Sequence, residues 1–306
     1  MKPAPLDVAG SVELAVVERS GFPESRHLGV AVRVGPSGDV EEALGDPSAL
    51  IYPRSAAKPL QAAAMLRLGA PLEGAHLAIA TASHAGTPDQ VRLVEQILAG
   101  AGLTADELRC PAVWPRRPAV IAGRQGPERI TMTCSGKHAG FLAAAVSSGA
   151  DPAGYLDRDH PVQREVATVI EELAGETVAH WGVDGCLAPT PVLSVAAFAR
   201  AVSRVLREEP RILDAARSAP WALDEPGGEN AVVIEETGGF AKTGAEGVVV
   251  VALPSGDAVV VKALDGAERI GTPVAVRMLE RAGLLDGAVA GRVRERVGSA
   301  SMRVAF

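Results

Sequence analysis

Several things are scarce in this 306-residue chain, and each scarcity closes off a class of function. Of its 30 basic residues only five are lysine, aromatics make up 3%, cysteines number three, and Asn230 is its single asparagine. No segment approaches the roughly 18 uninterrupted apolar residues that a membrane-spanning helix needs. Basic residues are outnumbered by 37 acidic ones, giving a net charge of −7 and a pI near 5.5. That balance excludes a surface built to neutralise phosphates, whether on nucleic acid or on an anionic membrane. The N-terminal "MKPAPLDVAGSVELAVVERSG" has no apolar core of an export signal, so a cytoplasmic location is expected. An odd number of cysteines in a reducing compartment argues against a disulfide framework. What remains, 47% hydrophobic and 22% charged, is the composition of an ordinary globular protein large enough for one big domain or two intimate ones.

Lysine scarcity makes each lysine a marked choice. Arginine serves almost wherever a positive charge is wanted, but only an ammonium can lose its proton when desolvated. Lys2 is assigned to chance, Lys262 is left open, and Lys58, Lys137 and Lys242 become candidates for chemistry.

The texture of the chain divides in three. Two β-rich runs, around 12–18 and 28–35, precede a Gly-Pro-Ser-Gly-Asp turn and a third short run. From Pro59 to about Arg207 the pattern is mostly helical, over Gln61–Leu68, Pro88–Ala99, His138–Ser148, Pro161–Leu173 and Val192–Leu206. Then "AVVIEETGG" reads as a loop, "FAKTGAEGVVVVALP" and "DAVVVKALDG" as strands, and "GTPVAVRMLERAGLL" as a closing helix. Strands at both ends around a helical block predict an α/β (α+β) architecture. Residues 1–58 and 226–306 would form a sheet subdomain and 59–225 an inserted helical one, with a cleft at their junction.

Three constellations carry possible chemistry. In "IYPRSAAKPLQAAAM", Ser55 and Lys58 stand at i and i+3, so they share a helix face, and the apolar residues that follow would bury it and lower the lysine pKa. The bland alternative is Ser55 as a helix N-cap and Lys58 in water. Far downstream, Lys242-Thr243-Gly244 opens a strand, and Ser-x-x-Lys followed by Lys-Thr-Gly is the order found in serine β-lactamases and penicillin-binding proteins. Their third element, Ser-x-Asn or Tyr-x-Asn, cannot be present in its usual form because Asn230 is the only asparagine. Ser83 and His84 in "AIATASHAGTPDQV" sit on a loop suited to that corner, or else Ser83 or Thr87 caps the next helix. Finally, "TMTCSGKHAGFLAA" brings Cys134, Lys137 and His138 into one turn, and "HWGVDGCLAPTP" supplies Asp184 and Cys186. Two thiolates with a nearby nitrogen or carboxylate suit tetrahedral zinc, while buried structural thiols are the alternative. Cys110 is assigned to packing.

Taken together, "PRSAAKPLQA", "SHAGTPDQV", "TCSGKHAGFLAA", "DHPVQREV", "GVDGCLAPT" and "AKTGAEGV", with the early "ESRHLG", resemble the asparaginase II family. The resemblance runs from about Val12 to the C-terminal helix. It implies a serine-β-lactamase-like and glutaminase-like fold, a mainly antiparallel sheet flanked by helices. It further implies hydrolysis of L-asparagine to L-aspartate and ammonia by a homodimer with zinc beside each catalytic centre. Carried over by motif, Ser55 with Lys58 and Ser83 with Lys242 would be two Ser-Lys pairs. Cys134, Lys137 and Cys186 would hold the metal, and Arg54, His84, Asp184 and His138 would line the substrate or support these groups. The chain departs from the family at "SHAGTPDQ", where Gly-Glu is expected, and at "PGGENAVVIEETGG", where a Gly-x-Gly-Arg-rich segment is expected.

The expected mechanism is acyl transfer: Lys58 takes the proton of Ser55, which attacks the side-chain amide, and backbone amides at the head of its helix stabilise the oxyanion. Lys242 would polarise Ser83, shuttle a proton to the leaving ammonia, or both, and the motif does not settle which serine attacks. A β-lactamase or peptidase and a non-catalytic zinc-stabilised binding protein are the rival readings.

Overall fold

The computed structural model describes residues 3–115, 118–121, 125–298 and 301–306. Among them are ten strands: β1 (Val12–Arg19), β2 (Phe22–Val34), β3 (Val40–Leu44), β4 (Leu50–Ile51), β5 (His180–Val183), β6 (Pro189–Ser194), β7 (Phe240–Gly244), β8 (Val248–Ala252), β9 (Ala258–Ala263) and β10 (Met302–Val304). Seven form one antiparallel sheet in the order β10-β1-β2-β9-β8-β7, with β3 also paired to β2. The hairpins are set by local chemistry: Ser20 and Gly21 both take positive φ between β1 and β2, as do Glu246 and Gly247 between β7 and β8, which matches the strands' right-handed twist.

The valine runs of β8 and β9 do not alternate with polar residues because both faces are covered. Every β8 residue is buried, and helices Val195–Glu208 and Gly271–Arg281 pack on both strands. Behind the sheet, helix Lys58–Arg67 is buried from its first residue to Leu66, which is why its sequence is apolar all round. Small residues let the helices behind the sheet approach one another. A side chain at Gly136 would meet the Ile79 carbonyl oxygen at 2.3 Å, and one at Gly140 would meet Met65 Sδ at 2.6 Å. The sheet and the helices share one hydrophobic cluster.

The mainly antiparallel sheet flanked by helices is the expected α+β class. Three local expectations change. The stretch expected as a loop before Lys-Thr-Gly is helix Glu229–Thr237, its Asn230 N–H accepted by Asp224 Oδ2 at 3.0 Å. The helix expected from Val192 starts at Val195, because Val192 to Ser194 belong to β6 and the Ser194 hydroxyl accepts the Ala197 N–H as N-cap. Two strands of a second sheet, β4-β6-β5, also fall inside the region read as helical: β5 and β6. No helix among the described residues is long and apolar enough to cross a membrane.

Candidate active site

Ser55 lies in a 3-10 turn, Arg54–Ala57, that leads directly into the buried helix. Its side chain caps nothing and makes no hydrogen bond among the described residues, so the N-cap alternative does not hold. The residue before it, Arg54, adopts φ 53°, a left-handed backbone that costs a non-glycine residue roughly 1–3 kcal/mol. That conformation is held by an ion pair across the cleft, Arg54 Nε and Nη2 reaching Asp184 Oδ1 at 2.8 and 2.7 Å. Burial would raise the Asp184 pKa, but Lys137, the Gly185 N–H and Arg54 together hold it below the ordinary value.

Lys58 is 1% exposed, which rules out the solvated alternative. Its Nζ donates to the Ala82 carbonyl and to Ser83 Oγ at 3.1 Å. Burial draws its pKa below the usual range, opposed by the Cys134 thiol and assisted by the Lys137 charge. The resemblance pairs Lys58 with Ser55 and Ser83 with Lys242; here the direct contact is between Lys58 and Ser83. Lys242 is fully buried on β7 and its Nζ donates to the Thr243 carbonyl at 2.7 Å. Gly244 explains how that strand reaches the Ser55 turn: a Cβ there would lie 2.7 Å from Pro53 O and 3.1 Å from Ala56 N.

The loop carrying Ser83 is pinned on both sides. Gly86 N–H donates to His84 Nδ1 at 3.1 Å, which leaves Nε2 protonated to donate to Ser135 Oγ at 2.9 Å, and Ser135 in turn donates to Ile130 O at 2.7 Å. Burial and the Lys58 charge lower the His84 pKa to about 4, so the ring is neutral and acts as a strut. Thr87, not Ser83, caps the following helix, in a capping box with Gln90.

Cys134, Lys137 and Cys186 also converge. Lys137 Nζ donates to Cys186 Sγ at 3.0 Å, and the three side chains are buried. The hydrogen bond from Cys134, against the cost of burial and with the Lys137 charge, brings Cys186 down to about 4. Burial opposes the Lys137 ammonium, yet the two cysteines raise its pKa. His138 points elsewhere, its Nδ1 2.8 Å from the Tyr155 hydroxyl and its buried Nε2 without a partner among the described residues. Among the described residues no three His, Cys, Asp or Glu side chains cluster as metal ligands; the cluster here is two thiols and an amine. Cys110 is packed against Arg129, with burial pushing its thiol up to about 12.

Lys262 lies outside this cluster. Its Nζ donates to the Glu246 carbonyl at 2.7 Å and to Ala263 O, and it lines a cavity of about 300 Å3 with Tyr52, Arg54 and Glu246. Two groups escaped the sequence reading. Gln90 ties the Ser83 loop to the chain around Trp221, and Asn230 bonds the outer edge of Lys-Thr-Gly. The only trace of the second was that Asn230 is unique in the sequence.

Among solved structures, the chain is similar to Mglu in its native form, with 14% identity over 90% of this chain and 70% of that chain and a TM-score of 0.44. It is similar also to Mglu in its glutamate form, with 14% identity over 85% of this chain and 62% of that chain and a TM-score of 0.43. No curated protein matches it. The family model for L-asparaginase II matches residues 15–303, nearly the whole length, and the chain therefore belongs to that family and is a hydrolytic amidohydrolase.

Proposed function

We propose that this enzyme hydrolyses the side-chain amide of L-asparagine to L-aspartate and ammonia through a serine acyl-enzyme. One observation carries the reading: Lys58 is almost wholly buried with its Nζ 3.1 Å from Ser83 Oγ, and desolvation favours the neutral amine that can accept a proton. Ser55 Oγ, free of hydrogen bonds among the described residues and on the turn that Gly244 approaches, attacks the amide carbon and gives its proton to Lys58. Backbone N–H groups of that turn stabilise the oxyanion. As the C–N bond breaks, the proton passes from Lys58 through Ser83 to the nitrogen, which leaves as ammonia. Water then attacks the ester, Lys58 takes its proton, and aspartate leaves with Ser55 restored.

A compact substrate is supported over a peptide. β7 ends its sheet, and at Thr243 the outward N–H is taken by Asn230 at 2.7 Å and the carbonyl by Lys242, so an extended chain has no free edge to pair with there.

Zinc belongs to the same reading. Cys134, Cys186 and Lys137 form an S, S, N donor set within hydrogen-bond reach of one another, and Cys186 is already a thiolate, which suits zinc once Lys137 gives up its proton. Bound there, the ion would supply positive charge beside the substrate's α-amino or carboxylate end. A homodimer is the proposed assembly, tested by light scattering.

The experiment is ammonia release from asparagine, glutamine and small amides, run with metal analysis on wild type and on Cys186→Ser. Expected is release from asparagine with bound zinc, and loss of the metal in the variant. Full turnover in a Ser55→Ala, Ser83→Ala double substitution would overturn the acyl-enzyme reading. The direct Lys58 contact favours a second reading in which Ser83 carries the acyl group. Mass spectrometry of the trapped intermediate assigns the serine.

A further inference from the structure

The loop that carries Ser83 and the strand that carries Lys242 are joined by a continuous chain of hydrogen bonds. On one side, the buried Gln90 accepts the Ala85 and Thr87 N–H groups at 3.0 and 3.2 Å, which fixes the loop holding Ser83. Its Nε2 donates onward to Trp221 O at 2.9 Å and Asp224 O at 3.4 Å. Asp224 Oδ2 then accepts both the Asn230 N–H, at 3.0 Å, and Asn230 Nδ2, at 2.8 Å. Asn230 ends the chain on the strand: its Oδ1 accepts the Thr243 N–H at 2.7 Å, and its Nδ2 donates to Thr243 Oγ1 at 3.2 Å.

The last link matters because of where β7 lies. It is the terminal strand of its sheet, so the N–H and C=O of Thr243, which face away from β8, have no strand to pair with. Asn230 takes the first and Lys242 Nζ donates to the second. Asn230 thus fixes the backbone to which the Lys242 amine is anchored. Helix capping accounts for the Asp224 contact with the Asn230 N–H, but not for an asparagine side chain that reaches across to a strand edge. Room for the turn is provided by Gly228, where a Cβ would lie 2.5 Å from Asp224 Oδ1.

We propose that Asn230, coupled through Asp224 and Gln90 to the Ser83 loop, is a positioning residue that sets Lys242 in register with the Lys58–Ser83 pair. The proposal rests on the Ser-Lys reading of the site, and it adds a role for the one asparagine of the chain.

Exchanging the partners tests it. Asn230→Asp keeps the acceptor for the Thr243 N–H but sets a carboxylate against Asp224, whereas adding Asp224→Asn removes that like-charge contact and offers the new carboxylate an amide donor, at the loss of one acceptor for a backbone N–H. Expected for the single variant is a fall in kcat of about tenfold or more with KM within about twofold, because a displaced amine harms the reaction more than binding. The double variant should recover part of the loss, to a kcat at least about threefold above that of the single variant. Hydrogen exchange should quicken in both the 240–245 and the 83–87 peptides of the single variant. Failure of the double variant to recover kcat, or quickened exchange confined to 229–245, overturns the proposal. If Asn230→Asp does not fold, Gln90→Met is read by the same exchange measurement at both peptides. Should wild type release no ammonia from asparagine, the functional reading fails while the coupling is still decided by the exchange data.

Discussion

Lys58 and Lys137 are almost equally buried, 1% and 2% exposed, and belong to one electrostatic cluster, yet their protons are held in opposite ways. Lys58 Nζ meets a carbonyl, a hydroxyl and the Cys134 sulfur, whose own pKa is raised toward the neutral thiol, so desolvation outweighs the attraction and the pKa falls. Lys137 meets a thiolate at 3.0 Å, with Asp184 further off, and the attraction outweighs the same desolvation. Burial sets a similar cost for both, and the charge of the nearest partner decides the sign. One lysine is thereby prepared to accept a proton and the other to keep its own.

The largest expected effect is on catalysis. Lys58→Met should lower ammonia release by about a thousandfold, the scale of losing a positioned base, while the melting temperature holds or rises. A large drop in melting temperature would break the comparison, since it would mean that the Lys58 charge is compensated after all. Next comes Lys137→Met, which strands the Cys186 thiolate. Denaturant unfolding of the metal-free protein should show a loss of about 3 kcal/mol. Unchanged stability would mean that Lys137 is not the counter-ion.

The pH dependence sharpens the same contrast. The folded pKa of Lys58 lies below its unfolded value of 10.5, so between the two the unfolded chain binds more protons and stability rises with pH. For Lys137 the folded pKa is raised, so its contribution is complete below 10.5 and is lost above. Urea midpoints taken on the way up to pH 10.5 should therefore climb less in Lys58→Met than in wild type, and kcat/KM should rise as Lys58 loses its proton. The smallest effect concerns the strut. Ser135→Ala removes the acceptor of His84 Nε2–H and should cost about 1 kcal/mol. In wild type the His84 NMR signals should stay those of a neutral ring until pH approaches 4.

Much of the site was legible because rare residues occur in short motifs. Lys58, Lys137 and Lys242 stood out against a background of arginine, and all three are buried, Lys58 and Lys137 within one electrostatic cluster, while Lys262, left open, lies outside it. The partners of those lysines were not legible. Ser55 and Lys58 are three residues apart, yet the direct contact of Lys58 is with Ser83, 25 residues away, because the buried helix aims its first side chain at the adjacent loop. Gln90 reads as an ordinary capping-box residue, and its bond to Trp221 spans 131 positions. Helix Glu229–Thr237 was missed because its start is set by a side chain, Asp224, outside the helix.

By itself the sequence determined which groups are available for chemistry, since the choice of lysine over arginine is made residue by residue. It also determined the strand-helix-strand texture, because periodicity and turn residues act locally. Tertiary structure decided everything that depends on what lies across a gap: which serine Lys58 touches, which lysine lies directly against the Cys186 thiolate, and how Asn230 reaches the edge of β7. A pKa is set by burial and by the charge at about 3 Å, and neither can be assigned to a residue before the chain has folded around it.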